Sequence, residues 1–261
     1  MKSTIKVAFE KTSFNDYPAK IASVIFFPAC NLRCPWCHNG ALITGRQNDG
    51  LIPLSAALEH IKKRSKLIGG VVISGGEPTL FTGLAELSAY LKSLGLLVKL
   101  DTNGLMPNVL RALVADERCR PDFFAMDLKC APGRYGGLVP AGDIDTADSV
   151  AGRLTESARI IRESGAAYEF RSLVFPPDSP PLHTETGGHL RGRRFFDMED
   201  IHALRPLAPD GHWRFRRFRA GNCLDERWNT LPDTDSEELA RVCAYGGTGT
   251  GGIGNTEDGA V

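Results

Sequence analysis

Three thiols within eight positions dominate the chemistry open to this sequence. Cys30, Cys34 and Cys37 stand at spacing C-x3-C-x2-C within Pro28-Ala29-Cys30-Asn31-Leu32-Arg33-Cys34-Pro35-Trp36-Cys37-His38-Asn39-Gly40. So compact a loop can wrap three thiolates around one metal centre. A [4Fe–4S] cubane has four irons and normally takes four cysteines, so three leave one iron open to a chelating ligand. The alternative is a structural zinc held by the three cysteines and His38. Cys119, Cys130, Cys223 and Cys243 stand apart and form no second paired element. Trp36 is either a core aromatic or a neighbour of whatever binds at the open position.

A second group of residues could handle charge. In Ser74-Gly75-Gly76-Glu77-Pro78 the two glycines permit positive φ and leave room for close approach, and Glu77 offers a carboxylate to an ammonium. The same residues also read as an ordinary turn. Asp101-Thr102-Asn103-Gly104 and Asp127-Leu128-Lys129 each follow a β-rich run; their aspartates serve either as turn formers or as a charged site. Arg171 lies in an apolar run, where an unpaired guanidinium is costly, so it either pairs structurally or meets a ligand. Arg216 and Arg219 alternate with Phe215 and Phe218, a pattern that favours a strand with one solvated basic face.

These residues need a frame to bring them together. Ile21–Phe27, Val71–Ser74, Leu96–Leu100, Phe123–Met126, Tyr168–Val174 and Trp213–Phe218 read as six strands, the first almost continuously apolar. Between them lie helical stripes. Leu84, Leu87, Leu91 and Leu94 form one, with Thr82 as candidate cap and Gly95 as stop. Leu58, Ile61, Leu67 and Ile68 follow Ser55; Leu110 and Leu113 follow Pro107; Leu154, Ala158 and Ile161 precede Gly165; Met198 to Leu207 is weaker. Strands alternating with helices imply parallel pairing with right-handed crossovers. Six units are too few for a closed eight-fold barrel, so a curved sheet, a partial (βα)6 barrel of class α/β, is expected. Every candidate motif then falls at the C-terminal end of its strand, the edge where such enzymes assemble their sites.

The remaining composition sets bounds. The 31 basic and 31 acidic residues cancel, so no global field favours nucleic acid or a membrane surface. No apolar stretch reaches membrane-spanning length and the first residues lack a leader's apolar core, so a cytoplasmic location is expected. Domain boundaries follow: 1–225 as the catalytic unit with a long Pro- and Gly-rich loop at about 176–197, and 226–261 as a Gly-rich, mobile tail.

The C-x3-C-x2-C signature, with an aromatic before its last cysteine, resembles that of the radical S-adenosylmethionine (SAM) superfamily over roughly residues 7 to 225. Within it the chain most resembles activating proteins of glycyl-radical enzymes, in particular those of anaerobic ribonucleoside-triphosphate reductase. That closer likeness rests on Lys11-Thr12-Ser13, Asp16-Tyr17-Pro18, Cys37-His38-Asn39, Val72 to Leu80, Lys99 to Gly104, Met126-Asp127-Leu128-Lys129 and Tyr168-Glu169-Phe170-Arg171. The resemblance implies a [4Fe–4S] cluster on Cys30, Cys34 and Cys37, with SAM chelating the open iron. It implies SAM contacts from Trp36, Gly75, Gly76, Glu77, Asp101, Asn103, Asp127, Lys129 and Arg171, and a monovalent cation held by the aspartates against the SAM carboxylate. One-electron cleavage would give a 5′-deoxyadenosyl radical that abstracts hydrogen from a glycine of a partner enzyme, with a flavodoxin-type reductant. No acid–base catalytic residue is required. The alternatives are a radical SAM enzyme acting on a small molecule or peptide, and a zinc-stabilised binding module without activity.

Overall fold

The computed structural model describes residues 5–46, 49–140, 147–180, 196–208 and 211–246. The described chain opens with a hairpin, β1 (Lys6–Tyr17) and β2 (Lys20–Phe27), followed by the short α1 (Gly40–Ile43). Then come β3 (Ile52–Pro53), α2 (Leu54–Arg64), β4 (Gly70–Gly75), α3 (Leu84–Ser93), β5 (Leu97–Thr102), α4 (Pro107–Ala115) and β6 (Phe123–Asp127). The series ends with α5 (Ala147–Glu163), β7 (Ala167–Val174), α6 (Met198–Leu204), β8 (Trp213–Arg217) and α7 (Ser236–Gly246). All strands join one sheet in the order β3-β1-β2-β4-β5-β6-β7-β8.

From β2 to β8 every pairing is parallel, and these six strands are the six expected from the apolar runs. Ala22 to Phe27 are buried without a break, as a strand covered on both faces must be. The helical stripes also hold: Leu84, Leu87 and Leu91 of α3, Leu110 and Leu113 of α4, and Leu154, Ala158 and Ile161 of α5 all face the core. Gly95 and Gly165 take φ of +77° and +75° just past their helices. Among the described residues β3 and β8 are the two edges, so the sheet forms an open partial barrel with two antiparallel strands added to the six parallel ones.

Several details differ from the sequence reading. The stretch 6–17, expected to precede the first strand, is itself β1. Its partly exposed, charged side chains and two register breaks against β2 hide the alternation. Gly83, not Thr82, is the N-cap of α3, without a side-chain bond. Leu67 lies beyond α2 and is exposed. The largest difference is the boundary at 225. Trp228 is fully buried, Thr234 donates through Oγ1 to the Val174 carbonyl at 2.6 Å, and α7 follows. Residues 226–246 are therefore part of the packed unit, because an indole and a helix face supply the apolar surface that the later glycines lack. Residues 247–261 of the expected tail, and 181–195 of the expected loop, lie outside the described residues. No described helix is long and apolar enough to cross a membrane.

Candidate active site

The cysteine loop leaves the C-terminal end of β2 and is anchored by backbone bonds and by close packing. Cys37 N–H donates to the Cys34 carbonyl at 3.0 Å and Gly40 N–H to the Cys37 carbonyl at 3.1 Å. Arg33 ties the loop down through its guanidinium to the Cys30 and Leu32 carbonyls, at 2.8 and 2.9 Å. Cys34 is buried and Cys30 and Cys37 are half-buried. Burial pushes the Cys30 thiol up to about 11 and Cys34 up to about 12, and raises Cys37 as well. The three thiols are mutual neighbours: a charge on Cys37 raises Cys30, and charges on Cys37 and Cys30 raise Cys34. The positive charge of Lys129 lowers all three.

That donor set fits a [4Fe–4S] cluster held through three irons. It suits zinc less well. His38, the fourth ligand a zinc site would use, donates from Nε2 to the Arg219 carbonyl at 2.8 Å. Two further cysteines, Cys130 and Cys223, are buried. Both Cys130 and Cys223 are raised chiefly by burial, with further contributions from Cys34 on Cys130 and from Cys37 on Cys223.

Four of the expected site residues support this loop rather than line a cavity. Gly75 has φ of +114°, and a Cβ there would sit 2.2 Å from the Phe27 nitrogen; at Gly76 it would sit 2.1 Å from the Ala29 carbonyl oxygen. The glycines thus allow two backbones to touch, and Gly76 and Glu77 N–H donate across the contact to the Phe27 and Ala29 carbonyls, both at 2.7 Å. Glu77 does not offer its carboxylate outward. Oε1 accepts from Thr79 N–H at 3.1 Å, Thr79 Oγ1 at 2.5 Å and Thr102 Oγ1 at 2.8 Å, while Oε2 accepts from Asn103 N–H at 2.7 Å. Burial raises its carboxyl, and those donors pull it back. Asn103 in turn donates from Nδ2 to Asn31 Oδ1 at 2.7 Å, reaching between the first two cysteines.

The other five line a cavity of about 250 Å³ that also touches Ser74, Phe175 and Arg216. Trp36 closes one side: it is buried, with ring centroids 4.9 Å from Phe175 and 5.3 Å from Trp228, so it is both a core aromatic and a wall of the cavity. Asp101, Asp127, Lys129 and Arg171 form the opposite side. Asp101 Oδ1 accepts from Lys99 Nζ at 2.6 Å and Arg171 Nη1 at 3.4 Å, and Oδ2 accepts from Ser74 Oγ at 3.0 Å. Asp127 Oδ1 accepts from Arg171 Nε at 2.6 Å and Oδ2 from Lys129 Nζ at 2.8 Å. Burial alone would raise both carboxyls, but Arg171 with Lys99 at Asp101, and Arg171 with Lys129 at Asp127, hold them below the usual range. Lys129 and Arg171 are held above theirs: burial lowers them, and the aspartates outweigh it.

Arg171 therefore satisfies both of its readings, pairing internally while facing the cavity. Arg216 is half exposed and pairs with Glu169 at 3.1 Å, and Arg219 pairs with Asp233 at 3.1 Å, in keeping with a solvated basic face. A larger cleft of about 650 Å³ lies beyond His38 and Asn39, which line both spaces. It carries none of the charged residues expected at the site. Sequence reasoning missed Ser74 and Lys99. The signal for Lys99 was available: on a strand, residues two apart share a face, which puts Lys99 beside Asp101.

Comparison with known proteins agrees with this geometry. The family model of the radical SAM superfamily matches residues 24–157. A Methanocaldococcus jannaschii protein, provisionally named a glycyl-radical enzyme activating enzyme, is 27% identical over 87% of this chain and 85% of its own length. The 7-carboxy-7-deazaguanine synthase of Haemophilus influenzae is 30% identical over 43% of this chain, little more than half (56%) of that enzyme. Among solved structures, TYW1 with a lysine-pyruvate adduct bound aligns over 86% of this chain and 72% of its own, with TM-score 0.50 and 14% identity, a likeness of fold alone.

Proposed function

The chain belongs to the radical SAM superfamily, and we propose that within it this protein activates a glycyl-radical enzyme, the anaerobic ribonucleotide reductase. The observation that carries this reading is the M. jannaschii relative, alike over 85% of its length, whereas the deazaguanine synthase is alike over 56%. The open edge between β8 and β3 supports it, because a protein loop needs lateral access that a closed barrel would deny.

When bound, the cluster and SAM supply one-electron cleavage of the sulfonium and the hydrogen-abstracting radical that follows. The chain's own part is to bind, orient and exclude water. Cys30, Cys34 and Cys37 hold the cluster, and the Gly75–Glu77 segment fixes the loop they sit on. Lys129 and Arg171 present positive charge to a ligand carboxylate, and Asp101 and Asp127 keep both cations charged and aimed. Trp36 and Phe175 shield the aromatic side from water. A small one-electron donor of the flavodoxin type is the expected reductant.

Anaerobic incubation of the reconstituted protein with SAM, reductant and the candidate reductase tests the proposal. The expected result is a glycyl radical signal in electron paramagnetic resonance. SAM turnover without that signal would favour a small-molecule hydrogen donor.

A further inference from the structure

Lys99 lies in the middle of β5 with its side chain only 3% exposed, and such lysines are rare unless paired. Its partner is Asp101, two residues along the same strand face, with Nζ 2.6 Å from Oδ1. We propose that Lys99 supplies from within the fold the positive charge that a bound monovalent cation would otherwise place between Asp101 and Asp127, so that this protein binds SAM without such a cation.

The donor set carries the proposal. A monovalent cation needs several oxygen atoms not already committed to stronger donors. Here each of the four carboxylate oxygens of Asp101 and Asp127 accepts from the protein: from Lys99 and Arg171, from Ser74, from Arg171, and from Lys129. Three protein cations already face two carboxylates. An added cation would have to displace one of them and meet the others as like charges in a poorly solvated place. The residues present do not fit the cation that the family resemblance implies. An ammonium is a compact point charge, close in size and charge to potassium, whereas a guanidinium is a planar fork, so lysine is the residue suited to that substitution. Lys99 does not line the cavity; it acts through Asp101, which does, and is a positioning residue. This holds whichever hydrogen donor the radical attacks.

The test is SAM affinity of the anaerobically reconstituted protein in potassium, sodium and tetramethylammonium buffers, with ²³Na relaxation as a second readout. Wild type should bind SAM equally in all three and leave the ²³Na line as narrow as in buffer. Lys99→Met removes the ammonium with little loss of volume; it should bind about tenfold more weakly in tetramethylammonium, with recovery in potassium or sodium as an ion enters the vacated place. A lysine that is merely structural would show no such rescue. Lys99→Arg should remain insensitive to the cation, and it decides the matter should Lys99→Met fail to fold. A wild-type or Lys99→Arg affinity that depends on the cation, ²³Na broadening by wild type that potassium reverses, or Lys99→Met affinity unchanged in every buffer would each overturn the proposal.

Discussion

The wall that carries the cysteines is held by aromatic rings, whereas the facing wall, on β5, β6 and β7, is held by paired charges. On the first, Trp36, Phe175, Phe218 and Trp228 pack edge-on or tilted with centroids 4.9 to 5.7 Å apart, and Asp225 N–H donates to the Pro35 carbonyl at 2.9 Å. On the second, Lys99, Asp101, Asp127, Lys129 and Arg171 interlock through bonds of 2.6 to 3.4 Å. The difference follows from what each wall must present. Thiols meant for metal need rigid support that does not compete for their sulfur atoms, and ring packing provides that. A wall that meets a charged ligand needs ionised groups fixed in advance, and mutual pairing keeps them charged despite burial.

The most severe way to break the first wall is Cys34→Ala. It should abolish both the visible absorbance of the cluster and reductive SAM cleavage; cleavage that persists would contradict the ligand assignment. Next in size is Trp228→Ala, which opens a cavity beneath Trp36. It should cost about 3–5 kcal/mol in denaturant unfolding and lower the iron retained after reconstitution. Unchanged iron content would show that the segment after Asp225 does not support the loop. Gly76→Ala should have a smaller effect of the same kind, because its Cβ would force the Ala29 carbonyl away; iron content of the purified variant checks it. The charged wall should respond least to ordinary pH. Carboxyls held below their usual range contribute fully above the unfolded value, about 4, and lose that contribution only as pH falls through the folded one. The stability difference between wild type and a variant that breaks the wall, such as Arg171→Met, should therefore stay constant from pH 8 to 5 in melting temperature, and a change of that difference within the window would mean another group governs the wall.

The two walls were unequally legible in the sequence. The six parallel strands and three of the helix stripes are written in continuous apolar runs and 3.6-residue spacing, which local chain geometry dictates. The cysteine spacing is equally local. What supports the cysteines is not: Trp228 reaches Trp36 across most of the chain, and composition beyond it points toward disorder. Glu77 was visible, yet its role was not, since its partners Thr102, the last residue of the next strand, and Asn103, just beyond it, become neighbours only through parallel register. Lys99 sat in view within Lys99-Leu100-Asp101, and the strand period alone places it beside the aspartate.

The division between the walls is tested most directly by Arg171→Met. Lys99 and Lys129 still pair with the aspartates in that variant, so the fold should survive. Iron content and visible absorbance are measured beside SAM affinity on one anaerobic preparation. The expected result is a full complement of cluster with SAM binding weakened about tenfold or more. Loss of the cluster, or SAM affinity equal to wild type, would contradict it.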